Sequence, residues 1–266
     1  MPETTSLILI GVIFFLSTFA RTSLGFGDAL IAMPLLALFV PMTLASPIVA
    51  LASALNAFLI LAREWKSLEV RQAGWLIVIA LSGIPFGVWL LHEGDDRILK
   101  FLLGTVVLGF AIWSLRAPSM PELKSAWWNV PFGLSAGFLG GAYNTAGPPL
   151  VIYAALKKWP PDVFRVILQA YFLPSGLLIV ALHGWNGRIT PDVLKTFGLT
   201  LPAIAVGFLA GRHLAERIPE ERFRKTVYIV LLFLGALLVI TPFTQKRDST
   251  DSGETAASQA SHLIGQ

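Results

Sequence analysis

Apolar runs dominate this chain, and polar residues fall mostly in the short stretches between them. Ten runs stand out, at 7–22, 26–40, 44–62, 74–91, 99–115, 128–142, 146–156, 163–183, 193–210 and 226–243. They divide into five and five. Crossing the hydrocarbon core takes about 20 helical residues, a length that the third, fourth and fifth runs of each set approach. The first two of each set are short. At about 1.5 Å per residue, the run 146–156 reaches only part of the way. The pattern predicts an all-α polytopic membrane protein.

The short runs are also interrupted, at matching places. The first set carries Gly25-Phe-Gly27-Asp28 and closes on Pro34. The second carries Gly140-Gly141-Ala-Tyr143-Asn144-Thr145-Ala-Gly147-Pro148-Pro149. Glycine–proline breaks at corresponding positions of two halves point to the midplane binding site of a secondary transporter. Two arrangements fit the breaks. As re-entrant hairpins they leave three spanning helices per half; as short tilted crossings they make five. Both counts are odd, so either way the second half starts from the opposite side and the two repeats have inverted topology. The expected organisation is a first transmembrane repeat at 1–116, a linker at 117–126, a second repeat at 127–244 and a disordered polar tail at 245–266.

Composition agrees. Only 14% of the 266 residues are charged, against about 25% in soluble domains, and the mean hydropathy is +0.70. The net charge of +4 does not point to nucleic acid, because the cations sit in loops. One side holds Arg63, Lys66, Arg71, Arg116, Lys124, Lys157, Lys158, Arg165, Arg212, Arg217, Arg222, Arg224 and Lys225. The other holds Arg97, Lys100, Arg188, Lys195, Lys246 and Arg247, with the acidic Glu93, Asp95 and Asp96. The cation-rich side is cytoplasmic by the positive-inside rule, which places both termini outside. No basic stretch precedes Leu7, so no signal peptide is expected. The chain has no cysteine, which excludes disulfides and thiol chemistry. His92, His183, His213 and His262 form no pair at metal-ligand spacing, so no metal is expected. Trp65, Trp75, Trp127, Trp128, Trp159 and Trp185, near run ends, suit interfacial anchoring.

Charge inside a membrane is expensive and is a functional hypothesis by default. Arg21 and Asp28 are the charged residues at the break between the first two runs. Arg21 has three readings: a forked, permanently charged donor to an oxyanion, a buried partner of Asp28, or a side chain snorkelling to the interface. Asp28 is a candidate for a coupling proton. The second break lacks charge but offers Tyr143, Asn144 and Thr145, with backbone N–H groups and a helix start as further anion donors. Gly25, Gly27, Pro34, Gly140, Gly141, Gly147, Pro148 and Pro149 are the expected break and hinge positions; small residues packing helices closely is the rival reading. Gln169, in an apolar run, is a further substrate-path candidate. Asn56 and Ser53 are others, with helix–helix hydrogen bonding the commoner role. Arg165 suits an entry-side anion contact or a lipid headgroup equally.

There is no P-loop, nucleophile elbow, zinc pattern or dinucleotide fingerprint, so neither an enzyme nor a cofactor is expected. The two motifs, Gly25-Phe-Gly27-Asp28 through Met33-Pro34-Leu35-Leu36 and Gly137-Phe-Leu-Gly140-Gly141 through Gly147-Pro148-Pro149-Leu150-Val151, resemble the paired motifs of the TauE/SafE sulfite-exporter family. Phe164-Arg165 and Gln169 are similar to that family too, and the resemblance covers about residues 7–243. Two positions depart from it: Asn144-Thr145-Ala146 where many members are richer in glycine, and Asp28 where a second glycine is frequent. The resemblance implies a bacterial inner-membrane permease for sulfite, sulfoacetate or related organosulfonates, and a homodimer. The expected partners are a small anion and membrane lipid. An anion channel using the same donors, and a non-transporting scaffold, are the rivals.

Overall fold

The computed structural model describes residues 4–64, 74–116, 122–215 and 221–241. Among the described residues there are ten α-helices and no strand. They are α1 (Thr4–Leu24), α2 (Asp28–Ala37), α3 (Met42–Glu64), α4 (Gly74–Glu93), α5 (Asp96–Arg116), α6 (Asn129–Tyr143), α7 (Gly147–Leu156), α8 (Pro161–Trp185), α9 (Pro191–Ala215) and α10 (Glu221–Thr241). Each apolar run corresponds to one helix. The expected tail at 245–266, the linker residues 117–121, Trp65 and the loop cations Lys66, Arg71, Arg217, Lys246 and Arg247 lie outside the described residues.

Seven helices are long and apolar enough to cross a membrane: α1, α3, α4, α5, α8, α9 and α10. Between 22% and 50% of each of these spans is buried inside the protein. Many of the remaining side chains are apolar and exposed, among them Val78, Phe86, Leu177, Leu209 and Phe233, as a lipid environment requires. The first run departs from expectation. The run 7–22 predicts a short piece, whereas α1 has 21 residues and is of crossing length. Its counterpart α6 has 15, and α2 and α7 have 10 each. At about 1.5 Å per residue, each of the ten-residue helices covers about 15 Å.

The breaks have local causes. Gly25 closes α1 by donating its N–H to Arg21 O at 2.7 Å, with φ 82°, and Gly27 caps α2 with φ 105°. A β-carbon is disfavoured at such dihedrals, so two glycines turn the chain where other residues resist. Asn144 ends α6 with φ 55°, and its N–H bonds Gly140 O at 2.8 Å. Asparagine is among the few side chains that tolerate this region. Pro148 and Pro149 then start α7, where the missing N–H leaves nothing unpaired.

Small residues set the packing. α4 packs most extensively on α6, and α1 on α9, followed by α3 on α8. Along α4–α6 the backbones nearly touch: a β-carbon on Gly137 would lie 1.8 Å from Ala80 O, and one on Gly141 2.2 Å from Ile84 O. Between α1 and α9 the same role falls to Gly207, whose β-carbon would meet Phe15 O at 2.6 Å. α3, packed on α8, also meets α9, and α8 also meets α4. Trp75, Trp127 and Trp185 are exposed at helix ends, whereas Trp159 packs edge-on against Tyr153.

Candidate functional site

Arg21, near the end of α1, is 1% exposed and is among the largest fully buried side chains. It does not snorkel. Its Nη1 donates to both carboxylate oxygens of Asp28, at 2.9 Å and 2.8 Å. Ser53 Oγ, from α3, donates to Asp28 Oδ2 at 2.9 Å. The guanidinium also lies 4.4 Å from the centre of the Phe172 ring, a cation–π contact from α8. The pairing reading of Arg21 is therefore realised, yet it leaves donors uncommitted. Nη2 makes only a 3.5 Å contact to Gln169 Oε1, and the buried Nε has no partner.

Gln169 is 2% exposed and ties α8 to the first break, because its Nε2 donates to Gly25 O at 3.0 Å. At the second break, Asn144 Nδ2 donates to Ser46 O at 3.1 Å and Ser46 Oγ at 2.9 Å, both on α3. Thr145 Oγ1 turns back to Tyr143 O at 2.8 Å, and the buried Tyr143 hydroxyl has no partner. The two breaks touch: a β-carbon on Gly147 would sit 3.3 Å from Leu30 Cδ1 and 3.5 Å from Phe26 Cδ2.

Between them lies a small cavity of about 20 Å³, enough for about one water. Arg21, Ser53, Asn144 and Ala146 line it, with Gly140 from α6 and Tyr171, Phe172 and Ser175 from α8. The structure thus brings Arg21 and Asn144, from the two breaks, to one cavity, with Asp28 and Gln169 bonded to Arg21 but not lining it. Tyr143 and Thr145 are buried beside it without lining it. Gly140 and Gly141 sit in the last turn of α6 rather than in the break, and Pro34 sits inside α2. Asn56 bonds Thr18 Oγ1 at 3.2 Å and joins α3 to α1. Arg165 packs its stem against Gly25, 3.5 Å from where a β-carbon there would stand.

The sequence gives no pointer to Ser46, Tyr171 or Phe172, whereas Ser175 follows Gln169 in the same run. A serine or aromatic residue inside an apolar helix carries no mark of its tertiary neighbour.

The sulfite exporter TauE/SafE family matches residues 9–238, which includes both breaks and the cavity between them. The chain belongs to this family. Its members are membrane transporters rather than enzymes, so this is a multi-pass membrane transporter. Among curated proteins, the "Probable sulfite/organosulfonate exporter TauE" of Cupriavidus necator is 22% identical over 229 residues, covering 84% of this chain and 90% of that protein. The "Probable inner membrane transporter protein TsaS" of Comamonas testosteroni is 24% identical over 180 residues, covering 64% and 74%. No solved structure matches the chain.

Proposed function

We propose that this TauE/SafE family protein is a secondary transporter of small sulfur-containing or organic anions, such as sulfite, sulfoacetate or other organosulfonates. The site lies where the two helix breaks meet. One observation carries this: a fully buried guanidinium, with donors to spare, lines a cavity that it shares with the polar break of the other half. The name of the Cupriavidus necator relative supports the class of anion. Arg21 supplies charge and Asn144 an amide donor, while the start of α7 adds a positive dipole end. Gln169 orients Arg21, and Tyr143 and Thr145 stand ready to enter a widened site. Asp28 holds Arg21 in place. It could carry a coupling proton only in a state where the pair opens.

A cavity of about 20 Å³ is far smaller than a sulfonate, so binding requires the helices around it to move apart. Alternating access supplies that movement. The crossed packing of α1 on α9 and α4 on α6 supports two inverted repeats, at 1–116 and 127–244, that rock about this point. An inner-membrane location, both termini outside and a homodimer complete the reading; the name of the Comamonas testosteroni relative supports the first.

The test is a thermal-shift screen of purified protein against sulfite, sulfoacetate, taurine, sulfate, thiosulfate and simple carboxylates. A ligand that prefers the native state raises its apparent stability. A selective shift with a sulfur anion, lost when Arg21→Gln and Asp28→Asn are combined, is the expected result. A shift that survives in that variant would move the site elsewhere.

A further inference from the structure

His92 and His183 come from α4 and α8 and are 91 positions apart, yet their rings meet edge to face with centroids 5.5 Å apart. His183 is 0% exposed. Two buried ring nitrogens here, His183 Nδ1 and His92 Nε2, have no hydrogen-bond partner. The other nitrogen of His183, Nε2, lies 3.2 Å from Ser46 Oγ. That same hydroxyl accepts from Asn144 Nδ2 at 2.9 Å. A line of polar groups therefore runs through apolar helices, from exposed Glu93 beside His92 to the cavity that Asn144 and Arg21 line.

We propose that His92 and His183 form a proton-binding pair, wired through Ser46 and Asn144 to the second helix break, whose proton state sets anion affinity there. The link to affinity rests on the transport reading above; the proton site does not. Neutral imidazole has one donor and one acceptor nitrogen, and imidazolium has two donors. With Nε2 unprotonated, Ser46 can donate its hydroxyl to His183 while accepting from Asn144. With Nε2 protonated, the direction of that bond reverses. Ser46 Oγ then accepts from both neighbours, so Asn144 keeps its bond but shares one oxygen with a charged donor, which weakens its hold on the break. Two imidazolium rings this close would repel, so the pair holds one proton more readily than two. Protonation also adds positive charge on the path to the anion, so acid conditions tighten binding.

Among the described residues, the charged groups around the pair are few. Glu93 follows His92 on α4, and Arg188, beyond α8, donates its backbone N–H to His183 O at 2.8 Å. At the start of α5, Asp96 accepts from Met42 N at 2.7 Å and pairs with Lys100, and Asp95 accepts from the N–H groups of Arg97 and Ile98. α3 presents Ser46 and α6 presents Asn144, neither of which titrates in the range of histidine.

Two measurements on the full chain in detergent test this. The first is histidine-labelled 15N NMR from neutral pH down to the acid limit of the folded state. Coupled groups titrate as a pair, so the His183→Gln variant should shift and simplify the titration of His92. An unchanged His92 titration would overturn the proton site, and His92→Gln provides the reciprocal reading if the first variant folds poorly. The second is sulfoacetate affinity against pH. Wild type should bind about tenfold more tightly at the acid end, within the usual range of coupling between sites. His183→Gln and Ser46→Ala should flatten the profile, with NMR pairing kept in the serine variant. The same slope in His183→Gln as in wild type would overturn the link to affinity. If neither sulfoacetate nor sulfite binds wild type at any pH, the transport reading falls and takes that link with it, while the NMR titration still decides the proton site.

Discussion

Removing one member of the Arg21–Asp28 pair should damage the fold more than removing both. Arg21 is 1% exposed at its side chain and Asp28 8%, with 2.8 Å between Nη1 and Oδ2. Arg21→Gln strands a carboxylate that keeps one donor, Ser53. Asp28→Asn strands a guanidinium whose remaining contacts are Gln169 at 3.5 Å and the Phe172 ring. Breaking a buried pair from one side costs about 3–5 kcal/mol, because the other charge stays buried and uncompensated. Replacing both by neutral groups of similar shape avoids that penalty. The double variant should then cost no more than either single one, giving a coupling energy of at least about 3 kcal/mol. Reversible unfolding in mixed micelles, followed by tryptophan fluorescence, reads all four corners of the cycle. Additive costs would refute the reasoning and mean that water or relaxation screens each charge. The combined variant is also the proper probe of function, since a single Arg21 change confounds lost binding with lost stability.

The remaining predictions concern packing, the orphaned hydroxyl and topology. Gly137→Ala places a carbon 1.8 Å from Ala80 O and forces α4 from α6, at about 1–3 kcal/mol or more, whereas Gly109→Ala meets nothing within 4 Å and should be neutral or stabilising by up to about 1 kcal/mol. Thermal unfolding of both variants checks this, and equal effects would contradict it. Tyr143→Phe removes a buried hydroxyl without a partner, so stability should hold or rise, while anion affinity falls if that hydroxyl enters the widened site. Titration calorimetry beside thermal unfolding separates the two. Cysteines introduced by Glu3→Cys and Thr250→Cys, in a chain with none of its own, should both react with an impermeant reagent from outside. Protection of either would count against both termini being external.

Much of the architecture was legible because lipid imposes a simple rule: every spanning backbone is helical and its surface apolar. The runs at 74–91 and 99–115 became α4 and α5 with ends moved by only a few residues. The run at 7–22 stops short of α1 because Thr4, Thr5 and Ser6 at one end and Ser23 at the other break the apolar signal while remaining helical. The breaks were visible as Gly25, Gly27 and Asn144, whose dihedrals need those residue types. The glycines of α6 were ambiguous in the sequence, since a glycine that kinks a helix and one that admits a neighbour look alike. Gly141 proves to do the second, against Ile84 O. Arg21 and Asp28 could be found as intramembrane charges, but their pairing could not be chosen over the rival readings. The meeting of His92 with His183 left no local trace at all, because it depends on how α4 and α8 pack.

The central claim is tested most directly by exchange of labelled sulfoacetate and labelled sulfite across proteoliposomes. The account predicts saturable uptake, accelerated by unlabelled anion on the far side, and lost in the combined Arg21→Gln, Asp28→Asn variant. Absence of flux with either anion, conductive flux that does not saturate, or full activity in that variant would contradict it.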